Sequence, residues 1–200
     1  METLIRHARA FPARIAGRQG AQETYRRLAA RQSPLALFIT CSDSRVVPAL
    51  ITGARPGDLF ELRTAGHVVP AYDAAAPVGA EAATIEYAVR LLGVADIVVC
   101  GHSHCGAVGA RARGQDLAGA PGVRDWITAQ FPDALFSDGT SALADAVQAH
   151  VRAQVDRLRA YPCVQERLER GDLELHAWYY ELDTGRTSAL CPAGESFLPL

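Results

Sequence analysis

Two short segments of this 200-residue chain hold the residues best suited to chemistry. The first is FITCSDSRVVP, Phe38 to Pro48, where an apolar run ends on Cys41 and is followed at two-residue steps by Asp43 and Arg45. The second, DIVVCGHSHCGAVGA from Asp96 to Ala110, ends another apolar run and presents His102 and Cys105. Cys, His and Cys form a ligand set for zinc, which takes thiolate and imidazole in tetrahedral geometry. The H-x-x-C spacing lets His102 and Cys105 converge on one ion. Three good ligands are one short of a closed structural site, so the set points to an open one whose fourth position takes water or substrate. His104 is the nearest closing candidate, but beside Cys105 it would have difficulty reaching the same ion. Residues two apart in an extended stretch point the same way, so Cys41, Asp43 and Arg45 are expected to face the metal together. Asp43 can then orient a zinc-bound water or bind the zinc itself. Arg45 carries a planar fork suited to a carboxylate, which would hold Asp43 ionised and off the metal. Cys105 opens an expected helix, where the dipole and free N–H groups favour a thiolate.

Each of these features is weak alone. An Asp–Arg pair is more often a surface ion pair, and a lone cysteine after a strand is more often core filler. The conjunction reverses that balance: C-x-D-x-R after one strand and H-x-x-C-G after another. Rival chemistries lack their signatures. Neither cysteine belongs to a C-x-x-C redox pair, and the glycines of GHSHCGAVGA fit neither the dinucleotide nor the P-loop pattern. The five cysteines, at 41, 100, 105, 163 and 191, are odd in number and sparse. They make no disulfide framework and point to a reducing, cytoplasmic setting.

The elements that must position these residues can be read from periodicity. Residues 3–31 read as a helix, and LALFIT (35–40) as a short buried strand opened by Pro34. A second strand is expected around 59–63. PVGAEAATIEYAVRLLG (77–93) is a helix with Pro77 in its first turn and Gly93 as its stop. ADIVVC (95–100) is a third strand, and a helix starts at Cys105. Residues 113–140 read as a long connection with short helical pieces around Trp126. Residues 141–171 are helical, interrupted at Pro162, and a strand, a DTG turn and an edge strand fill 173–190. Continuous apolar strands alternating with helices predict an α/β fold: a mostly parallel central sheet flanked by helices, preceded by an N-terminal helical arm (1–31), in one domain spanning 1–200. Composition agrees, with 49% hydrophobic and 21% charged residues and a net charge of -2. That charge gives no electrostatic case for nucleic acid or an anionic membrane. No apolar run reaches the roughly 18 residues of a membrane span, and the N-terminus lacks the apolar h-region of a secretory signal.

CSDSR followed by GHSHCG resembles the β-class carbonic anhydrases. The likeness extends to PGDLFELR, ATIEYAV, DIVVCGHSHCGAV and HAWYYELDTG, covering residues 30–110 and, more loosely, 140–185. It implies one zinc per chain on Cys41, His102 and Cys105, with Asp43 and Arg45 as a gating and orienting dyad. Gln32 matches a glutamine whose amide holds the substrate oxygen in the plant-like branch. Phe60, Ala65 and Tyr87 fall where that branch lines an apolar CO2 pocket, partly from the neighbouring subunit, and Gly106 follows the second cysteine as expected. Another branch closes the zinc with the aspartate and carries tryptophan three residues before the first cysteine. Phe38 stands there in this chain, so the open form is expected. Thr64 and His67 replace two amides usual in the family, which alters the surroundings of the site.

The implied reaction is reversible hydration of CO2 to bicarbonate and a proton, by a zinc-bound hydroxide that Asp43 orients. Zinc lowers the pKa of bound water from 15.7 to about 7. His67 and His104 are candidates for proton export, although packing or surface roles are the commoner fate of such residues. Hydrolysis of carbonyl sulfide or carbon disulfide is the alternative on the same fold, and a non-catalytic zinc scaffold the second alternative. The intact C-x-D-x-R and Gln32 favour CO2. The resemblance also implies a homodimer or an assembly of dimers joined through the arm, with no nucleic-acid or membrane partner.

Overall fold

A computed structural model of the chain describes residues 1–131, 142–193 and 196–200. The chain divides into two units, Met1–Ser33 and Pro34–Leu200. The first holds two helices, α1 (Glu2–Ala16) and α2 (Ala21–Ala30), where the periodicity predicts one. The break falls on GRQG. Gly20 takes φ 76°, a conformation that residues with a Cβ avoid, and caps α2. Phe11 meets Tyr25 edge-on with ring centroids 5.9 Å apart. No residue of either helix is buried.

The second unit is built on β1 (Ala36–Cys41), β2 (Leu59–Thr64), β3 (Asp96–His102), β4 (Glu174–Tyr180), β5 (Thr187–Leu190) and β6 (Phe197–Pro199). Among the described residues these form one sheet in the order β2-β1-β3-β4-β5-β6. The first four are parallel to one another, β5 pairs antiparallel with β4, and β6 pairs antiparallel with β5. Its helices are α3 (Pro48–Thr52), α4 (Ala80–Glu86), α5 (Gly106–Ala112), α6 (Pro121–Gln130), α7 (Leu143–Arg159) and α8 (Pro162–Glu169). The expected mostly parallel sheet flanked by helices holds, with local differences. Helix α4 begins three residues after Pro77, with Gly79 as its cap, and passes into a π-helical turn, Tyr87–Leu92, closed by Gly93 at φ 66° as the sequence predicts. Around Trp126 a ten-residue helix, α6, replaces the expected short pieces. The part of the 113–140 connection beyond Phe131 lies outside the described residues. Strand β6 is not legible in advance: three residues ending in proline carry no strand period, and proline is tolerated there because β6 is an edge.

Every residue of β1 is buried, because the sheet is covered on both faces. Leu37, Ile39, Ile97 and Val99 face a core shared with Val147, Val151, Val155 and Leu158 of α7. Phe38, Val98 and Cys100 face the other way, where Phe38 meets Trp178 edge-on at 5.9 Å. Cys100 is thus the core filler that a buried cysteine usually is, its thiol pushed up to about 12 by desolvation. Gly101 lets α7 pack directly on β3, since a Cβ there would lie 2.5 Å from Val151 Cγ2 and 2.8 Å from Val147 Cγ1. Among the described residues no helix is long and apolar enough to cross a membrane.

Candidate metal centre

Strands β1 and β3 are direct neighbours, and the pairing of Thr40 with Cys100 brings their carboxyl ends level. Cys41 is the last residue of β1 and His102 the last of β3, one or two positions earlier in their elements than the sequence suggests. Cys105 follows as the N-cap of α5. The two thiols and one imidazole nitrogen lie within 4.8 Å of one another, and all three residues are buried. His102 Nδ1 is 2.8 Å from the Ser103 carbonyl oxygen, which can only accept, so Nδ1 carries the proton. Nε2 is left as a bare lone pair, buried and without a hydrogen-bond partner. Such an orphan is costly unless it has a ligand.

The thiols make the same point. Cys41 is drawn towards the thiolate by hydrogen bonding from Cys105, against its burial, and by further bonds that include the Gly66 N–H at 3.4 Å from Sγ. Cys105 is pushed the opposite way by that same contact and by burial, although the Ala107 and Val108 N–H groups at the start of α5 favour its thiolate. Two buried thiols side by side thus share one negative charge, and a divalent cation removes the conflict. Soft donors, a prepared lone pair and exclusion of water fit zinc. Among the described residues a second group, Asp96, Glu174 and His176, lies at the opposite end of the sheet. It is less buried, and His176 Nε2 is already engaged in a hydrogen bond 2.7 Å from Asp96 Oδ1.

Asp43 and Arg45 do not continue β1. The chain turns after Cys41, with Val46 N–H donating to the Asp43 carbonyl at 3.1 Å, so the expected alternation stops at the cysteine. The turn achieves the pairing by another route. Arg45 donates to Asp43 three times: backbone N–H to Oδ1 at 3.0 Å, Nε to Oδ1 at 3.0 Å and Nη2 to Oδ2 at 2.7 Å. The guanidinium holds the Asp43 carboxyl well below the usual carboxylate range. Nη2 also donates to the His104 carbonyl at 3.2 Å, tying this turn to the H-x-x-C segment. Asp43 Oδ2 ends 3.9 Å from His102 Nε2. From β2, Arg63 Nη2 donates to the carbonyls of Cys41, Asp43 and Val46 at 2.8, 2.9 and 2.7 Å, bracing the whole turn.

A second brace lies outside both motifs. The segment Thr64–Val69 passes beside Cys41, and three residues of α7 hold it. His150 Nε2 donates to the Gly66 carbonyl at 3.2 Å, Gln154 Oε1 accepts from Val69 N–H at 2.8 Å, and Arg157 Nη1 donates to the Val69 carbonyl at 2.9 Å. Burial holds His150 neutral, its pKa lowered to about 3. These residues were missed, yet the signal is present: His150 and Gln154 are polar residues in the apolar stripe of Val147, Val151, Val155 and Leu158. Gly66 is required for two reasons. Its φ is +78°, and a Cβ would lie 2.5 Å from Phe131 Cζ. Gly66→Ala should therefore destabilise the fold by about 2–5 kcal/mol, the sum of a left-handed backbone and overpacking. Denaturant unfolding checks this; a loss of no more than about 1–2 kcal/mol would leave the backbone term alone and show that the ring yields freely.

The remaining sequence candidates are dispersed. Gln32 is exposed and follows α2 in the N-terminal unit. Phe60 stacks on Tyr87 at 5.8 Å and 22°. Phe60 sits opposite Leu37 on β2, four residues before the Thr64 that pairs with Cys41, or about 13 Å away at strand rise. Ala65 lies next to the site and lines a cavity of about 330 Å³ with Ser42, Val123 and Trp126. Gly106 is the first residue of α5. His104 is turned away at φ 56°, its Nε2 2.8 Å from Asp183 Oδ2. His67, at φ 49°, has no solvent exposure and packs edge-on against His150 at 4.9 Å. Desolvation lowers its pKa well below the ordinary value.

A parallel sheet with this site at its carboxyl end has known counterparts. The family described as Carbonic anhydrase matches residues 36–187. A carbonic anhydrase of Pseudomonas aeruginosa is 46% identical over 197 residues, spanning 96% of this chain and 86% of that protein. The solved β-carbonic anhydrase CcaA superposes with a TM-score of 0.89 at 35% identity, covering 100% of this chain and 99% of the other. A tetrameric β-carbonic anhydrase of the ascomycete Sordaria macrospora does so with a TM-score of 0.78 at 29% identity, covering 94% and 97%. The chain belongs to the β-carbonic anhydrase family.

Proposed function

We propose that this chain is a zinc-dependent carbonic anhydrase of the open-site kind, interconverting CO2 and water with bicarbonate and a proton. The observation that carries this reading is the joint geometry of the buried Cys41–His102–Cys105 donors and an Asp43 carboxylate tied up by Arg45. Zinc held there supplies a nucleophile from water at neutral pH. The protein's own groups do the rest. Ser103 fixes the His102 tautomer. Asp43, an ionised carboxylate held in place by the Arg45 fork, accepts a hydrogen bond from a group beside the metal and fixes its orientation. The cavity along Ser42, Ala65 and Val123, beside the site, is assigned as the approach for a small, weakly polar molecule. Gly106 opens α5 directly after Cys105, and the family resemblance assigns the Gln32 amide to the substrate oxygen.

Phe60 and Tyr87, stacked together and remote from this chain's own donors along β2, are assigned to the site of a second copy. The tetrameric Sordaria enzyme supports an assembly of dimers. The exposed apolar residues of α1, Leu4, Ile5 and Phe11, fit a contact between protomers.

The purified chain should contain about one zinc, as a single Cys–His–Cys site requires, and should accelerate CO2 hydration in stopped flow. Carbonyl sulfide offered in parallel should release little sulfide. A zinc-replete chain that leaves CO2 hydration at the rate of buffer would overturn the proposal.

A further inference from the structure

Trp126 sits on α6, outside both motifs, yet its indole is aimed at the backbone beside the metal ligands. Nε1 donates to the Ala65 carbonyl at 3.0 Å. That carbonyl and the Gly66 N–H belong to one peptide unit, and no peptide in the described structure is cis. In a trans unit the C=O and N–H point in opposite directions. The far side of the same unit is the Gly66 N–H, which donates to Cys41 Sγ at 3.4 Å. A continuous chain therefore runs from the indole N–H through one peptide to the sulfur. Hydrogen bonds in such chains polarise one another, most strongly where the dielectric is low. The adjoining peptide is fixed independently, by His150 on the Gly66 carbonyl and by His67 N–H donating to the Thr64 carbonyl at 3.2 Å. The unit between them thus has one orientation, and Trp126 holds its outer end.

We propose that Trp126 is a positioning residue for the metal centre: through the Ala65–Gly66 peptide it aims and strengthens the N–H donor on the Cys41 sulfur. The role rests on the zinc reading above. It concerns the ligand and not the substrate, although the indole also lines the cavity beside Ala65. An N–H donor withdraws electron density from a thiolate. Weakening it leaves the sulfur easier to oxidise, so transfer of charge from sulfur to a bound metal takes less energy.

Trp126→Phe keeps most of the ring and removes the donor. In the cobalt(II)-loaded variant the sulfur-to-metal charge-transfer band should move to longer wavelength. Zinc affinity, measured by chelator competition, should fall about two- to tenfold, the range that one neutral hydrogen bond commands. A folded variant with an unmoved band and unchanged affinity would overturn the inference. Should the variant fail to fold, the wild type decides. Loaded with cadmium-113, its Gly66 amide proton should exchange slowly and show scalar coupling to the metal across the N–H···S bond. A freely exchanging, uncoupled amide overturns the inference. Wild-type protein that takes up no metal would overturn the proposed function and this inference together, whereas normal loading with an unresponsive Trp126→Phe overturns this inference alone.

Discussion

Cys41→Ser should leave a folded chain that no longer retains zinc and hydrates CO2 no faster than buffer. Serine is close in size, and the other five residues of β1 remain fully packed in the sheet, so the fold has little reason to fail. What disappears is a soft ligand that can ionise. A hydroxyl is far harder to deprotonate than a thiol already drawn towards its thiolate by Cys105 and the Gly66 N–H. Structural zinc binding at neutral pH amounts to about 10–16 kcal/mol over four ligands, or roughly 2.5–4 per ligand, so removing one should weaken binding by about 10²–10³-fold. Metal analysis after dialysis against a weak chelator gives the first readout and stopped-flow hydration the second. Stoichiometric zinc with activity within about tenfold of wild type would remove Cys41 from the ligand set.

The legible parts of this structure share a cause. Continuous apolar runs such as ALFITC and DIVVC can only be strands buried on both faces, and parallel neighbours bring their carboxyl ends together. That reasoning alone places Cys41 beside His102. Glycine does similar work at Gly93, where a left-handed residue ends the helix. The paired charges were read correctly as partners but by the wrong geometry. Extended alternation puts Asp43 and Arg45 on one side, whereas a turn lets the Asp43 carboxylate take the Arg45 backbone and side chain together. Local side-chain-to-backbone bonding by aspartate competes with strand continuation, and just past a strand end it wins.

What escaped the sequence is the support behind the ligands. Arg63, His150, Gln154 and Trp126 act on backbone carbonyls and amides, and such contacts leave no spacing rule because any residue offers the same peptide group. Gly66 shows the limit clearly. Its need for φ +78° is a common property of glycines, but the closeness of Phe131, 65 positions along the chain, follows only from tertiary packing.

Arg45→Ala should keep the zinc and lose the activity, which separates it from Cys41→Ser. Arg45 lies at the surface and touches none of the three ligand side chains. Its fork occupies both Asp43 oxygens, and its removal frees a carboxylate whose Oδ2 is 3.9 Å from His102 Nε2. A carboxylate oxygen is itself a zinc ligand. The freed group can therefore turn onto the metal and exclude water, or lose the orientation on which attack depends; displacements of this kind lower turnover by about a hundredfold. The charge does not supply the effect. Arg45 holds the Asp43 carboxyl below its ordinary range, and without the guanidinium it rises towards about 3.9. Asp43 is ionised at neutral pH in both proteins, so the loss should be constant between about pH 6 and 9 and should deepen only in acid. Arg45→Lys, a point charge without a fork, should recover only part of the rate. A pH-rate profile with zinc analysis on each variant tests the assignment. Full activity in Arg45→Ala, or a loss that vanishes as pH rises, would mean that the arginine serves Asp43 by charge or not at all.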